Sequence, residues 1–142
     1  MEFKNVPMAV VPFMKYTQEP NSWVLISIGE PGEDKPKVPE SCLDVLRVEL
    51  ADVDRGIEGY IKFSQAHAKK ILDFYHKYKH TVKTFIIHCT AGISRSAGVA
   101  AALHRIHYNE DDQTYWTKYL PNMLVYRTII RVHCGATDNE IV

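Results

Sequence analysis

The feature that most limits the possible folds is the segment TFIIHC, Thr84–Cys89, together with the residues just after it. A short apolar run that is rich in β-branched residues and does not alternate is typical of a central strand covered on both faces. The next residues, Thr90–Ser94, are mostly small and include a glycine, which predicts a tight turn. Ser96–His107 then has apolar residues at helical spacing. A buried strand, a tight turn and a helix in this order indicate an α/β protein.

The other strands are predicted in the first third of the chain. The apolar, proline-bounded run VPMAVVPF predicts a strand over Val6–Phe13, and SWVLISIG predicts a second over Ser22–Gly29. DVLRVEL alternates apolar and polar residues, which predicts a third over Asp44–Leu50.

Three further helices are predicted from apolar spacing and end signals. The first begins at Ser64, and the second lies within DDQTYWTKYL. The third lies within PNMLVYRTIIRV; Asn122 is its expected N-cap, and Gly135 lies just past its end. Because strands alternate with helices late in the chain, we expect a mostly parallel sheet. The length of 142 residues fits one domain, spanning residues 1–142.

The turn after Cys89 has the composition of an anion site with a nucleophile beside it. Backbone N–H groups and the start of a helix favour negative charge, and Arg95 adds a planar fork of donors matched to phosphate oxygens. The same positive field can lower the pKa of a thiol from about 8.5 to roughly 3.5–7.5. Cys89 is therefore expected to be a thiolate that attacks phosphorus, and the hydroxyl of Ser96, which directly follows Arg95, is expected to donate to the sulfur and stabilise it.

The nine residues HCTAGISRS resemble the signature of the cysteine-dependent protein tyrosine phosphatases, and AGxSRS is most similar to their dual-specificity branch and its small bacterial and viral relatives. The resemblance implies a phosphatase (Cys-X5-Arg) fold, a four- or five-stranded sheet flanked by helices, and hydrolysis of phosphomonoesters without a metal or another cofactor. It also implies that Cys89, Arg95 and Ser96 are catalytic. The residues implied to bind the phosphate are Thr90, Ala91, Gly92, Ile93, Ser94 and Arg95.

The same resemblance implies an aspartate that protonates the leaving group, contributed by a loop after a strand of the type LRVEL. Asp52 and Asp54 both lie in that loop, and the match of LRVELADV favours Asp52. The pair Pro-Asn in LPNMLVYR also resembles the family, where the asparagine is thought to brace the phosphate loop. Asn122 is the candidate for that role, which is compatible with its capping the last helix.

Other reactive residues have simpler interpretations. His88 precedes the nucleophile on a strand, so its side chain is expected on the opposite face, with a hydrogen bond that orients the loop. His104 and His107 lie on a helix without a third ligand, and the cysteines have no CxxC spacing, so neither a metal site nor a disulfide framework is expected.

Composition constrains partners and location. The 17 basic and 17 acidic residues cancel, which argues against a general nucleic-acid or membrane surface. The N-terminal MEFKNVPMAV lacks the order of a secretory signal, and no apolar run is long enough to span a bilayer, so we expect a cytoplasmic protein. The expected form is a monomer acting on phosphorylated proteins, with phosphotyrosine as the favoured substrate.

Three alternatives stay open on the residues alone. In the large tyrosine-specific branch of the family a Lys-Asn-Arg-Tyr motif deepens the pocket, and this chain has no such motif. The resemblance therefore implies a shallower cleft, which also admits phosphoserine, phosphothreonine, phosphoinositides and RNA 5′-phosphates. A sulfurtransferase or an arsenate reductase also presents a cysteine in an anion loop, although sulfurtransferase loops are typically one residue shorter. A catalytically silent phosphoprotein-binding module is disfavoured because the cysteine, the arginine and a candidate acid are all present.

Overall fold

The computed structural model describes residues 1–135, which form one parallel sheet with helices packed on it. The strands are β1 Glu2–Pro7, β2 Trp23–Gly29, β3 Val45–Glu49 and β4 Thr84–Cys89. The α-helices are α1 Gln65–Tyr78, α2 Arg95–Tyr108, α3 Gln113–Lys118 and α4 Met123–His133, and a 3-10 helix spans Met8–Tyr16. Within residues 1–135, none of the helices has the length and apolar character needed to cross a membrane.

The four strands are in the order β1-β4-β2-β3, and every neighbouring pair is parallel. The predicted α/β class, the parallel sheet and the flanking helices are therefore confirmed, with four strands. In a parallel sheet all the carboxyl ends of the strands meet at one edge, where ligands bind in open α/β folds. Cys89 is the last residue of the buried strand β4, so it lies at that edge.

Side chains of β4 alternate between two apolar cores of different size. Phe85, Ile87 and Cys89 belong to the larger core, which the α-helices cover. Ile86 belongs to the smaller core on the other face, where the 3-10 helix packs against β2. Burial on both faces explains why β4 is a continuous apolar run.

The predicted first strand, Val6–Phe13, is wrong in its position. The strand begins earlier, at Glu2, and it ends at Pro7 because the next backbone amide, that of Met8, donates to the carbonyl of Thr90 instead of continuing the ladder. The chain then forms the 3-10 helix, whose three-residue repeat brings Val11 and Met14 onto one buried face.

The other predicted elements agree with the structure to within two residues at their ends. Ser64 caps α1, since its hydroxyl accepts from the backbone N–H of His67. Asn122 caps α4, since its Oδ1 accepts from the backbone N–H of Val125 at 3.1 Å. Gly135 lies just past the end of α4 and has a positive φ of 84°, which is common for a glycine that follows the last residue of a helix.

Candidate active site

The Cys89–Arg95 loop turns between β4 and α2, as the sequence predicts, and β1 supports it from behind. The Asn5 side-chain Nδ2 donates to the carbonyl of Gly92 at 2.8 Å. Gly92 has φ of +70°, and a Cβ at this position would lie 2.5 Å from the backbone nitrogen of Pro7. Only glycine combines that φ with so close an approach of the neighbouring strand.

The thiol of Cys89 is buried under the loop and lies 3.0 Å from the Ser96 hydroxyl, Sγ to Oγ. Burial has the largest single effect on its pKa and raises it. Hydrogen bonds from the Ser96 hydroxyl and from the backbone N–H groups of Ser96 and Gly92, together with the charge of Arg95, outweigh burial and lower the pKa of Cys89 below its ordinary value. The expected Ser96–Cys89 contact is therefore present.

Asn5 shares the Ser96 hydroxyl with the thiol. Because the Asn5 Nδ2 donates to Gly92, its Oδ1 is the acceptor that faces Ser96, and the Ser96 hydroxyl donates to it. Ser96 has a single proton to donate, so a protonated Cys89 donates to Ser96, and a Cys89 thiolate draws the serine proton away from Asn5. The sequence reasoning missed Asn5. The only signal in the sequence is that Asn5 lies two positions after Phe3 in EFKNVP, so that in a strand the polar side chain is on the same buried face as Phe3.

Arg95 is the first residue of α2, and its guanidinium is buried against the loop. Nη1 donates to the carbonyl of Leu50 at 2.8 Å, and Nη2 donates to the Thr90 hydroxyl at 3.3 Å. These two contacts fix the plane of the fork between the end of β3 and the start of the loop. A buried cation at a helix N-terminus is unfavourable unless an anion joins it, which fits a loop that binds an anion.

Asp52 reaches the loop, whereas Asp54 does not. Asp52 Oδ1 accepts from the Ser94 hydroxyl at 2.8 Å and from the Asn122 Nδ2 at 2.9 Å. Asp54 lies on the surface and forms an ion pair with the exposed Arg55 at 3.7 Å. The contact with Ser94 therefore favours Asp52 over Asp54 as the carboxylic acid of the site.

Asn122 braces the loop by its main chain and not by its side chain. The backbone N–H of Asn122 donates to the carbonyl of Ser94 at 3.0 Å. Its side-chain Nδ2 donates instead to Asp52 and to the carbonyl of Val53 at 3.1 Å, while Oδ1 caps α4. The family resemblance implies that the asparagine side chain supports the phosphate loop, but in this structure the Asn122 side-chain amide holds Asp52 and Val53 instead.

His88 lies on the face of β4 that is opposite to Cys89. Its Nε2 is 2.6 Å from the Ser27 hydroxyl, and its Nδ1 is 3.1 Å from the carbonyl of Cys89. Burial lowers the pKa of His88, so the ring is neutral, and the contact with the Cys89 carbonyl assigns its proton to Nδ1. Ser27 also accepts from Arg47 Nη1 at 3.0 Å. The histidine therefore orients the main chain at Cys89.

Glu33 is a second residue that sequence reasoning missed. It comes from the loop after β2, and its carboxylate accepts the Thr90 hydroxyl, which in turn accepts from Arg95. The hydrogen bond from Thr90 lowers the pKa of Glu33, so a carboxylate stands beside the loop at neutral pH. No motif in the Pro- and Gly-rich stretch EPGEDKPKVPE marks this position.

The remaining cysteines and histidines lie elsewhere. Burial raises the pKa of Cys42 to about 11, and Cys134 is exposed. His107 contacts the Tyr75 hydroxyl, with 2.7 Å between Nδ1 and the oxygen. Across residues 1–135, no group of three or more His, Cys, Asp or Glu side chains is arranged to hold a metal ion.

Comparison with known proteins gives a fold but no sequence match. No sequence-family profile matches the chain, and no curated protein does. Among solved structures, the human tyrosine phosphatase-like serine/threonine/tyrosine-interacting protein is similar with a TM-score of 0.62, at 16% identity, over 91% of this chain and 89% of that one. PTPMT1, solved in complex with PI(5)P, has the same TM-score at 17% identity, over 92% of this chain and 87% of its own.

The chain has the fold of the cysteine-dependent protein tyrosine phosphatases. Human DUSP28 agrees, with a TM-score of 0.56 at 11% identity, over 94% of this chain and 95% of that one. The phosphatase fold implied by HCTAGISRS is thus confirmed along nearly the whole described chain. Sequence identities this low establish a shared fold alone, and the chemistry depends on the loop between Cys89 and Arg95.

Proposed function

We propose that this protein hydrolyses phosphomonoesters through a cysteinyl-phosphate intermediate, with phosphorylated proteins, and phosphotyrosine first among them, as substrates. The observation that carries the proposal is Cys89, a buried thiol of lowered pKa that opens a loop closed by the buried guanidinium of Arg95. A nucleophile and a cation on one tight loop suit a tetrahedral dianion, whose oxygens the loop amides and the guanidinium would hold.

In the first step the Cys89 thiolate attacks phosphorus, a sulfur–phosphorus bond forms, and the bond from phosphorus to the ester oxygen breaks. A phenolate leaving group has a pKa of about 10 and needs a proton, which Asp52 supplies. Both hydrogen bonds to Asp52 fall on Oδ1, so we assign the transferable proton to Oδ2. These contacts would hold the acid beside the loop.

In the second step water attacks phosphorus, the sulfur–phosphorus bond breaks, and Asp52 accepts the proton that water loses. The electron pair returns to sulfur, where the Ser96 hydroxyl, 3.0 Å away, donates to the new thiolate. The products are inorganic phosphate and the starting enzyme with Asp52 protonated, so the cycle is balanced without another reactant.

The test is hydrolysis of p-nitrophenyl phosphate by the purified protein in the presence of a metal chelator, with an acidic-to-neutral optimum. Cys89→Ser should abolish turnover while circular dichroism shows an unchanged fold. Cys134→Ser, which alters an exposed thiol outside the loop, is the matched control and should keep full activity. Undiminished turnover in Cys89→Ser would contradict the mechanism.

A phosphoinositide is the second candidate substrate, because a solved structure with this fold, PTPMT1, is in complex with PI(5)P. Release of phosphate from soluble short-chain phosphoinositides, compared with release from phosphotyrosine peptides at equal concentration, separates the two. The proposal for protein substrates predicts the higher kcat/KM for the peptides.

A further inference from the structure

A cleft of about 450 Å³ opens beside the Cys89–Arg95 loop. It is lined by Asp52, Val53, Asp54, Ile57, Ser94, Pro121, Asn122 and Met123. Asp52 and Ser94 belong to both the cleft and the proposed catalytic site, so the cleft continues the surface on which a substrate would lie.

Four large exposed apolar residues lie in or next to the lining of this cleft, and we call them the apolar rim: two line the cleft, and the other two directly precede the lining residues Ser94 and Pro121. They are Ile57, Ile93, Leu120 and Met123, which are 41%, 46%, 75% and 39% exposed. They come from three separate segments of the chain. Exposed apolar residues that converge beside a site mark a binding surface more often than isolated ones do.

Two of the four rim residues, Leu120 and Ile93, are joined by a backbone hydrogen bond that lies next to one holding the loop. The backbone N–H of Leu120 donates to the carbonyl of Ile93 at 3.1 Å, and the N–H of Asn122 donates to Ser94. Leu120 is therefore fixed next to Ile93, and Ile93 is itself part of the Cys89–Arg95 loop. This half of the rim is thus preorganised relative to the reacting thiol, which lowers the entropic cost of binding a ligand there.

The charge of the cleft selects against polyanions. Its two ionisable lining residues are Asp52 and Asp54, and none of the lining residues is Lys, Arg or His. A phosphoinositide headgroup or an RNA end brings further phosphates close to the hydrolysed one, and these would face the two carboxylates, of which Asp54 is already paired with Arg55 outside the lining. An uncharged apolar group meets no such penalty and gains from burial.

On the basis of the proposed function, we infer that the apolar rim binds an apolar side chain next to the phosphorylated residue of a protein substrate. The substrate class is then a phosphotyrosine segment flanked by aliphatic or aromatic residues. Selectivity comes from the rim, and reactivity comes from the loop.

The experiment compares two phosphotyrosine peptides that differ only in the residues flanking the phosphotyrosine, Leu in one and Gln in the other. The wild type should hydrolyse the Leu peptide with a kcat/KM about tenfold higher, the ratio expected when one apolar side chain is partly buried. Leu120→Gln should remove most of that preference and leave hydrolysis of p-nitrophenyl phosphate, which has no flanking residues, unchanged.

Leu43→Gln is the matched control, because Leu43 is also exposed but lies before β3, at the amino-terminal edge of the sheet. It should keep the wild-type preference. Equal kcat/KM for the two peptides in the wild type would overturn the inference, and so would a short-chain phosphoinositide hydrolysed better than both. The inference would also be overturned if Leu120→Gln lowered kcat/KM equally for the peptides and for p-nitrophenyl phosphate.

A binding measurement separates failure of the rim from failure of the proposed chemistry. Fluorescence anisotropy with labelled forms of both peptides and the Cys89→Ser variant needs no turnover, and it should show about tenfold tighter binding of the Leu peptide. If p-nitrophenyl phosphate is not hydrolysed but this preference holds, the proposed function fails and the rim stands. If hydrolysis occurs and the preference is absent from both assays, only the rim is wrong.

Discussion

Asn122 donates its side-chain amide to the carboxylate of Asp52, with 2.9 Å between Nδ2 and Oδ1. The same residue caps α4 through Oδ1 and bonds the carbonyl of Ser94 through its backbone N–H. One asparagine therefore ties together the last helix, the loop that carries Cys89 and the candidate acid. Capping and positioning of the acid use different atoms of its side chain, so the two roles can be separated by substitution.

Asn122→Ser should separate them. Serine is also a good N-cap, so α4 keeps its cap and the melting temperature changes little, but no amide is left to donate to Asp52. We expect kcat to fall about tenfold for an aryl phosphate with a poorly acidic phenol, because the acid is less well positioned. An aryl phosphate with a strongly acidic phenol needs no proton and should be affected much less. Equal losses on both esters would indicate that Asn122 does not act through the acid.

Asp52→Asn and Asp54→Asn form a matched pair that identifies the acid. The structure holds Asp52 on Ser94 but leaves Asp54 in an exposed pair with Arg55. Asp52→Asn should lower kcat on a phenolic ester about 10²–10⁴-fold, the usual contribution of general acid catalysis, and flatten the basic limb of the pH–rate profile. Asp54→Asn should keep nearly full activity and the wild-type profile, and the reverse result would transfer the role to Asp54.

The contrast between Cys89 and Cys42 predicts selective alkylation. The pKa of Cys89 is lowered and that of Cys42 is raised to about 11, so Cys89 ionises at a lower pH than Cys42 and carries the larger thiolate fraction near neutral pH. Iodoacetate at about pH 6.5, below the ordinary thiol pKa, should label Cys89, inactivate the protein and leave Cys42 unmodified, as followed by peptide mass spectrometry. The rate of Cys89 labelling should reach its plateau below the pH at which an ordinary thiol ionises. Labelling that begins only above that pH would contradict the lowered pKa.

Ser96→Ala tests whether the hydroxyl assists the departing sulfur. Removing the donor raises the pKa of Cys89, because its hydrogen bond favours the thiolate. We expect the alkylation profile to move to higher pH and phosphoenzyme to accumulate, which appears as a burst of phenol before slow turnover. Ser96→Thr keeps a hydroxyl and should restore much of the second step. A Ser96→Ala variant with no burst and an unshifted profile would exclude this role.

The sequence predicted structural elements correctly where a local pattern has a single physical cause. TFIIHC predicted β4 because a strand buried on both faces has no polar alternation, and Asn122 was predicted to cap α4 because the N–H groups at the start of a helix need acceptors. Val6–Phe13 failed because an apolar run bounded by prolines fits a strand and a 3-10 helix equally well. Only the contact of Met8 with Thr90 decides between them.

Residues that act across long sequence separations were harder to predict. Asn5 meets Gly92 and Ser96 from 87 and 91 positions away, and Glu33 meets Thr90 from 57 positions away. Each is an ordinary polar residue in its own segment, so no local pattern marks it. The choice of Asp52 over Asp54 came from a resemblance, and the contact of Asp52 with Ser94 gives that choice a physical reason.

Gly92→Ala and Gly59→Ala separate backbone strain from steric contact at the loop. Both glycines have positive φ, +70° and +85°, but a Cβ at Gly59 would meet nothing within 4 Å, whereas one at Gly92 would lie 2.5 Å from the Pro7 nitrogen. Gly59→Ala should lower the free energy of unfolding by about 1–2 kcal/mol through strain alone. Gly92→Ala should lose a further 1–3 kcal/mol, about the cost of overpacking, and its activity should collapse as β1 or the loop shifts. Urea denaturation gives both values, and equal losses would mean that β1 does not confine the loop.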